Sequence, residues 1–248
     1  MTCRRPSPTA GALRDDLRLP SAVGLAVERP TIATGPPSGR PRAAGPGREH
    51  PGLEGRRLAH ARERAAGRRC AARALAATGL PAPGPLPRRD DGAPAWPAGA
   101  VGSISHTPGL VAAAAASATA LGAIGLDVET GILPVAAAGL VCDVDERDRW
   151  ASCVGGGGAL GATLAFSARE SVFKALSAAG IALGAPRATT IRPTVRGFRV
   201  HRAGDSRPCD AAGLLDALDG RWTVRDGVVA TAVLLLAADA IPGAGRAR

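Results

Sequence analysis

The sequence predicts an α+β fold, with helices packed on strands in both halves of the chain. Three observations predict it. A helical stretch with a stripe of small apolar residues runs over 54–78. Two apolar, strand-like segments follow at 111–117 and 123–128. A second helix, expected to start at Ser167, then leads into four short strand segments near the C-terminus.

Taken in order, residues 1–17 read as frayed and 19–28 as a first strand, while 29–47, rich in Pro, Gly and Arg, reads as a loop or a partly disordered segment. Leu58, Ala61, Ala65, Cys70, Ala72 and Leu75 line one face of the first helix, and Gly79 stops it. Prolines punctuate 81–97, which marks a connection carrying Arg88 and Arg89. Gly102-Ser103-Ile104-Ser105-His106 reads as a loop or strand end. The next two strands are expected to form a hairpin around 117–122. A charged helical turn is expected at 143–150, and Gly155 to Gly158 read as a flexible break. The tail offers strands at 188–192, 197–201, 222–225 and 228–237, with a short helix over 211–218.

The 248 residues suffice for one large domain or two small ones. A net charge of +10 points to anionic partners. The arginines are spread along the chain, however, and aromatic residues make up only 2%, which argues against a base-stacking platform for single strands; with no recognition helix or binding motif beside the charge, no nucleic-acid partner is expected. Five cysteines at wide spacings fit neither a disulfide framework nor a zinc site, so a reducing cytoplasm is the expected location. Residues 110–126 are uncharged, but Ala, Gly, Ser and Thr dominate them; strands are expected there and no membrane span.

Two stretches carry candidate chemistry. Asp127 and Glu129, two apart on a strand, point to one face, and paired carboxylates repel unless a cation or proton sits between them. Oxygen donors of this kind suit Mg²⁺. Solvated acids at a strand end are the plain alternative. Lys174 is the only lysine in the chain and stands one helical turn from Glu170. Ser167 to Glu170 also has the form of a capping box, and Glu170 with Lys174 the spacing of an ordinary i,i+4 pair. Ser105 and His106 are able to bond phosphate oxygens, whereas the usual nucleotide-binding glycine loops and the nucleophile elbow are absent.

In sequence order, PAWPAGAVGSISHT, GLDVE and FSARESVFKA resemble the 4'-phosphopantetheinyl transferases of the enterobactin/surfactin-synthetase type, and GRRCAARALAATG extends the likeness upstream. The resemblance covers about residues 63–185. It implies two similar α+β subdomains related by a pseudo-twofold, with coenzyme A in the cleft between them. On this reading residues 1–18 are disordered, 19–120 form the N-terminal subdomain, and 121–248 form the C-terminal one with the metal site. The implied metal ligands are Asp127, Glu129 and Glu170, holding Mg²⁺ on the coenzyme's pyrophosphate. Glu170, Lys174 and Asp127 are the implied catalytic residues, and Arg68, Arg88, Ser105, His106, Asp127 and Lys174 the implied coenzyme contacts.

The implied activity is transfer of the phosphopantetheine arm of coenzyme A to a serine of an apo acyl or peptidyl carrier protein, by a monomer. Such a reaction asks for positioning and charge neutralisation. The chain departs from the family pattern at four places. Arg169 stands for the usual lysine, Leu176 to Ala179 for an aromatic and a proline, and Ala72 and His60 for arginines. Two rival readings follow: an impaired relative that binds coenzyme A or carrier without transfer, and a basic nucleic-acid-binding protein.

Overall fold

The computed structural model describes residues 8–30, 51–82, 84, 86–90, 92–181, 189–202 and 212–237, with no side-chain placement for 51–56, 135, 202 and 212. Helix α1 (Ala10–Asp16) leads into β1 (Gly24–Glu28), and the long α2 (Pro51–Ala77) into β2 (Ala100–Thr107), β3 (Leu110–Ser117) and β4 (Leu121–Glu129). Helices α3 (Val135–Val141), α4 (Val144–Val154) and α5 (Gly158–Ala178) follow. The described chain closes with β5 (Thr189–Thr194), β6 (Gly197–Arg202), α6 (Ala212–Asp216), β7 (Leu218–Arg225) and β8 (Val228–Leu236). The α+β class is as predicted.

Two antiparallel sheets carry the fold, one in the order β1-β3-β2 and the other β4-β8-β7-β6-β5. Alternation along β3 shows how they stack. Val111, Ala113 and Ala115 face α2 together with Cys70, Ala71 and Ala74. Ala112, Ala114 and Ala116 face the second sheet, where Leu126, Val128, Ala230 and Ala232 meet them. On the far side of that sheet, Val229 and Val233 pack under α5 with Leu164, Ala168 and Val172. The layers are therefore helix, sheet, sheet, helix, and the alanines of β3 let the inner two approach closely.

Several expectations change. The GSISH stretch is the body of strand β2, paired with β3 from Ala100↔Ser117 to Thr107↔Leu110 across a turn at Pro108-Gly109, where Gly109 has φ 81°. Consequently β3 and β4 form no hairpin: β3 pairs with β1 and β2, and β4 with β8, so 118–120 carry the chain between sheets. Helix α5 begins at Gly158, nine residues before Ser167, because Gly161 lets its backbone lie against Arg147 and Ala151 of α4. Ser167 is thus no N-cap; its hydroxyl lies buried 2.9 Å from that of Thr231. Helix α3 has no counterpart in the sequence reading. Most of the expected 29–47 loop lies outside the described residues, as do Ala188 of the first tail strand and Cys3 and Cys209.

The N-terminal stretch expected to be frayed holds α1, capped by Thr9, whose hydroxyl accepts from Ala12 N at 3.1 Å. Its Leu13 and Leu17 are 1% exposed and fill the space between the two sheets with Leu19 and Val23. Asp16 then pairs with Arg225 of β7, whose Nη2 donates to Oδ1 at 2.7 Å. One short helix thereby closes the intersheet core. We expect Leu13→Ala to cost about 2–5 kcal/mol by the cavity it leaves, read as a lowered denaturation midpoint without loss of cooperativity. A change under about 0.5 kcal/mol, the range of surface substitutions, would show α1 to be dispensable.

Candidate functional site

Strands β2 and β4 are each the edge of their sheet, and they run against one another. Side-chain hydroxyls join them. Ser103 Oγ accepts from Leu126 N at 3.0 Å, and Ser105 Oγ accepts from Val128 N at 3.2 Å. Ser105 also donates to Asp127 Oδ1 at 2.9 Å, and Thr107 donates to Glu129 Oε2 at 3.1 Å. All three hydroxyl residues are buried, at every second position of β2, as one face of a strand requires.

Helix α5 lies on β4 at Gly125. Any Cβ there would run into the carbonyl oxygen of Ser171, so only glycine allows the approach. Lys174, three residues on from Ser171, reaches the seam. Its ammonium donates to Asp127 Oδ1 at 2.7 Å, Ser105 Oγ at 3.2 Å and Leu126 O at 3.2 Å. The acid it pairs with is therefore Asp127, and no ion pair joins it to Glu170 among the described residues.

Asp127 is 3% exposed, and its second oxygen, Oδ2, is buried without a partner. Burial pushes the Glu129 carboxyl above its ordinary value, and the neighbouring Asp127 charge adds to this. Burial likewise pushes Glu170 up, with Lys174 opposing and Asp127 reinforcing the shift. Three carboxylates thus share one half-buried region with a single ammonium. Their hard oxygens fit Mg²⁺ in kind, and the unpartnered Oδ2 fits a ligand position. They do not close around one point: among the described residues no group of three or more His, Cys, Asp or Glu side chains stands close enough together to hold an ion.

Ser105 and His106 are neighbours in sequence but face opposite sides of β2. His106 lies in a cavity of about 350 Å³ lined by His60, Glu63, Arg64, Arg68 and Arg88, among others. Glu63 Oε2 stands 3.7 Å from His106 Nδ1 and 3.3 Å from His60 Nδ1. Arg68 Nε donates to Leu86 O at 2.7 Å, and Arg88 Nε to Gly92 O at 3.1 Å, which fixes both guanidinium groups in the cavity wall. Three arginines and two histidines lining a cavity with a single carboxylate make a site suited to a phosphate. The structure brings Asp127, Lys174 and Ser105 together by direct bonds, gathers Arg68, Arg88 and His106 in the second cluster, and sets one on each side of β2.

Sequence reasoning missed Thr107, Glu63 and the Glu146–Arg169 pair. Arg169 Nη1 and Nη2 donate to the two oxygens of Glu146 at 2.7 Å each, and Nη2 also reaches Thr189 O at 3.3 Å. Glu146 accepts from Ile191 N at 3.3 Å as well. Arg169 therefore points to α4 and β5, and anchors α5 at the residue before Glu170. The signal for Thr107 was the two-residue repeat of hydroxyls, legible only once the segment is read as a strand.

Comparison with known proteins gives the same direction as the motifs. Residues 54–116 match the family model described as the 4'-phosphopantetheinyl transferase N-terminal domain. The 4'-phosphopantetheinyl transferase Svp of Streptomyces mobaraensis is 35% identical over 165 residues, covering 62% of this chain and 64% of Svp. The chain thus spans a little under two thirds of the length of that curated relative. The resemblance seen in the motifs is borne out. Among the described residues no single helix is long and apolar enough to cross a membrane.

Two outcomes follow from this geometry. The folded state binds protons at Glu129 and Glu170 that the unfolded chain releases. In chelated protein, stability should therefore fall as pH rises from the ordinary carboxylate range through the raised values. Glu170→Gln should raise Tm at neutral pH, and the gain should vanish near about pH 3, below the ordinary Glu value, where both states are protonated; a gain independent of pH in thermal melts would refute burial as its source. Separately, Arg169→Met leaves Glu146 buried without its partner, and should cost about 3–5 kcal/mol in urea unfolding.

Proposed function

We propose that the protein transfers the 4'-phosphopantetheine arm of coenzyme A to a serine of an apo acyl or peptidyl carrier protein, releasing adenosine 3',5'-bisphosphate. The observation that carries this reading is the meeting of Asp127, Glu129, Glu170 and Lys174 at the β2–β4 seam, one strand residue away from a basic cavity. A plain structural core has no need of a buried carboxylate oxygen left without a partner beside two further acids whose carboxyls burial raises.

Arg68, Arg88 and His106 bind the terminal phosphate of the coenzyme in that cavity, with Arg64 beside them. The pyrophosphate extends across β2 to the seam, between the lobes at 19–120 and 121–248. Asp127, Glu129 and Glu170 would hold Mg²⁺ there, which when bound offsets the pyrophosphate charge. Glu170, its carboxyl raised by burial and so closer to neutrality, takes the proton from the attacking carrier serine. The serine oxygen forms a bond to the β-phosphorus as the bond to the departing bisphosphate breaks. Lys174, held beside Asp127, keeps a positive charge at the point where negative charge develops.

The test is intact-mass spectrometry of an apo acyl-carrier and an apo peptidyl-carrier domain incubated with the protein, coenzyme A and Mg²⁺. A phosphopantetheine-sized gain is expected, absent with chelator and with Asp127→Ala. No gain with coenzyme still bound would favour the impaired relative. No gain and no coenzyme binding would remove the transferase reading.

A further inference from the structure

Ser105 and Lys174 have their hydrogen-bonding capacity committed to the seam, and Thr107 commits its one proton there. A serine hydroxyl has one proton to donate and two lone pairs. Ser105 gives its proton to Asp127 Oδ1 and accepts from Val128 N and Lys174 Nζ, so no capacity is left for a phosphate oxygen. An ammonium has three protons, and Lys174 sends one each to Asp127, Ser105 and Leu126 O. Thr107 donates to Glu129 Oε2 and lies 3.5 Å from the Thr130 hydroxyl, whose proton goes to Pro108 O at 3.2 Å. Each strand acid is thus gripped by one oxygen only. Asp127 keeps Oδ2 unpartnered and buried, and no described residue bonds Glu129 Oε1.

We propose that Thr107 and Ser105 are positioning residues for a divalent-cation site, fixing the two strand acids through one oxygen each and leaving Asp127 Oδ2 and Glu129 Oε1 to the ion. Ser105 acts on Asp127 and not on the coenzyme, and Thr107 joins the functional set. This rests on the cation site of the transferase reading. The physical reason is torsional. A carboxylate bonded at one oxygen is fixed about its last torsion, which holds its other oxygen in place beside a like charge two residues away. Partners that orient metal ligands in this way are worth about 10–100-fold in metal affinity.

The experiment is titration of Mn²⁺ into the full chain, followed by the electron paramagnetic resonance signal of the free ion, with and without coenzyme A. Thr107→Val keeps the shape of the side chain and removes its hydroxyl; it should weaken Mn²⁺ binding about 10–100-fold. Thr107→Ser, which keeps the hydroxyl, should return it to within about threefold, under 1 kcal/mol. Ser105→Ala should weaken Mn²⁺ as Thr107→Val does and leave the KM for coenzyme A nearly unchanged at saturating Mn²⁺. It also carries the test if Thr107→Val does not fold by circular dichroism. Mn²⁺ binding by Thr107→Val equal to wild type, beside an Asp127→Asn control that has lost it, overturns the positioning role alone. A raised KM for coenzyme A with intact Mn²⁺ affinity in Ser105→Ala makes Ser105 a coenzyme contact, and also overturns it. Mn²⁺ binding that is absent in wild type, or unchanged by Asp127→Asn with Glu129→Gln, removes the cation site and this proposal together.

Discussion

Two sheets that present bare edges to one another need something in place of a backbone ladder, and here it is a row of hydroxyls. Ser103 and Ser105 of β2 accept from the backbone amides of Leu126 and Val128 on β4. Each bond satisfies a buried N–H that would otherwise be orphaned, at a cost of roughly 1–3 kcal/mol apiece. The same row holds the acids of β4. Joining the sheets and orienting the carboxylates is therefore one interaction, and a change that loosens the seam moves the chemistry with it.

Glycine sets the distance at which α5 meets that seam. Gly125 admits the backbone of Ser171, and Gly161 admits the backbone of α4. Between these two close approaches the helix has little freedom to slide. The Arg169 to Glu146 clamp then fixes its far side to α4 and β5. A bidentate guanidinium does this better than an ammonium, since the fork matches both carboxylate oxygens and leaves a proton for Thr189 O. The arginine that departs from the family pattern is, in this fold, part of the frame that carries Glu170.

Much of the fold and of the site was legible from residue pattern, and what was missed has physical causes. Strand alternation gave the shared face of Asp127 and Glu129, and the apolar runs gave β3, β4 and β8. The alanine-rich segment 110–117 hid the topology, because a strand buried on both faces shows no alternation and says nothing about its partner. The start of α5 was hidden by glycines at 155–158 and 161. They read as breakers when seen alone, and only the crossing with α4 explains the last of them. Ser105 and His106 looked like one phosphate-binding pair because they are adjacent; being adjacent on a strand is what places them on opposite faces.

The lone lysine has its explanation in shape. In a chain that otherwise uses arginine for every basic side chain, position 174 must satisfy a carboxylate, a hydroxyl and a carbonyl oxygen that converge on one point. A compact ammonium directs three protons tetrahedrally from a single atom, which suits convergent acceptors. A guanidinium spreads five protons over a plane about 4 Å across and suits parallel ones. The site beside Glu146, with two oxygens side by side, takes an arginine; the seam takes a lysine. Composition that drifts so far from lysine, yet keeps one where the acceptors converge, marks the seam as the place where side-chain geometry is under the tightest constraint.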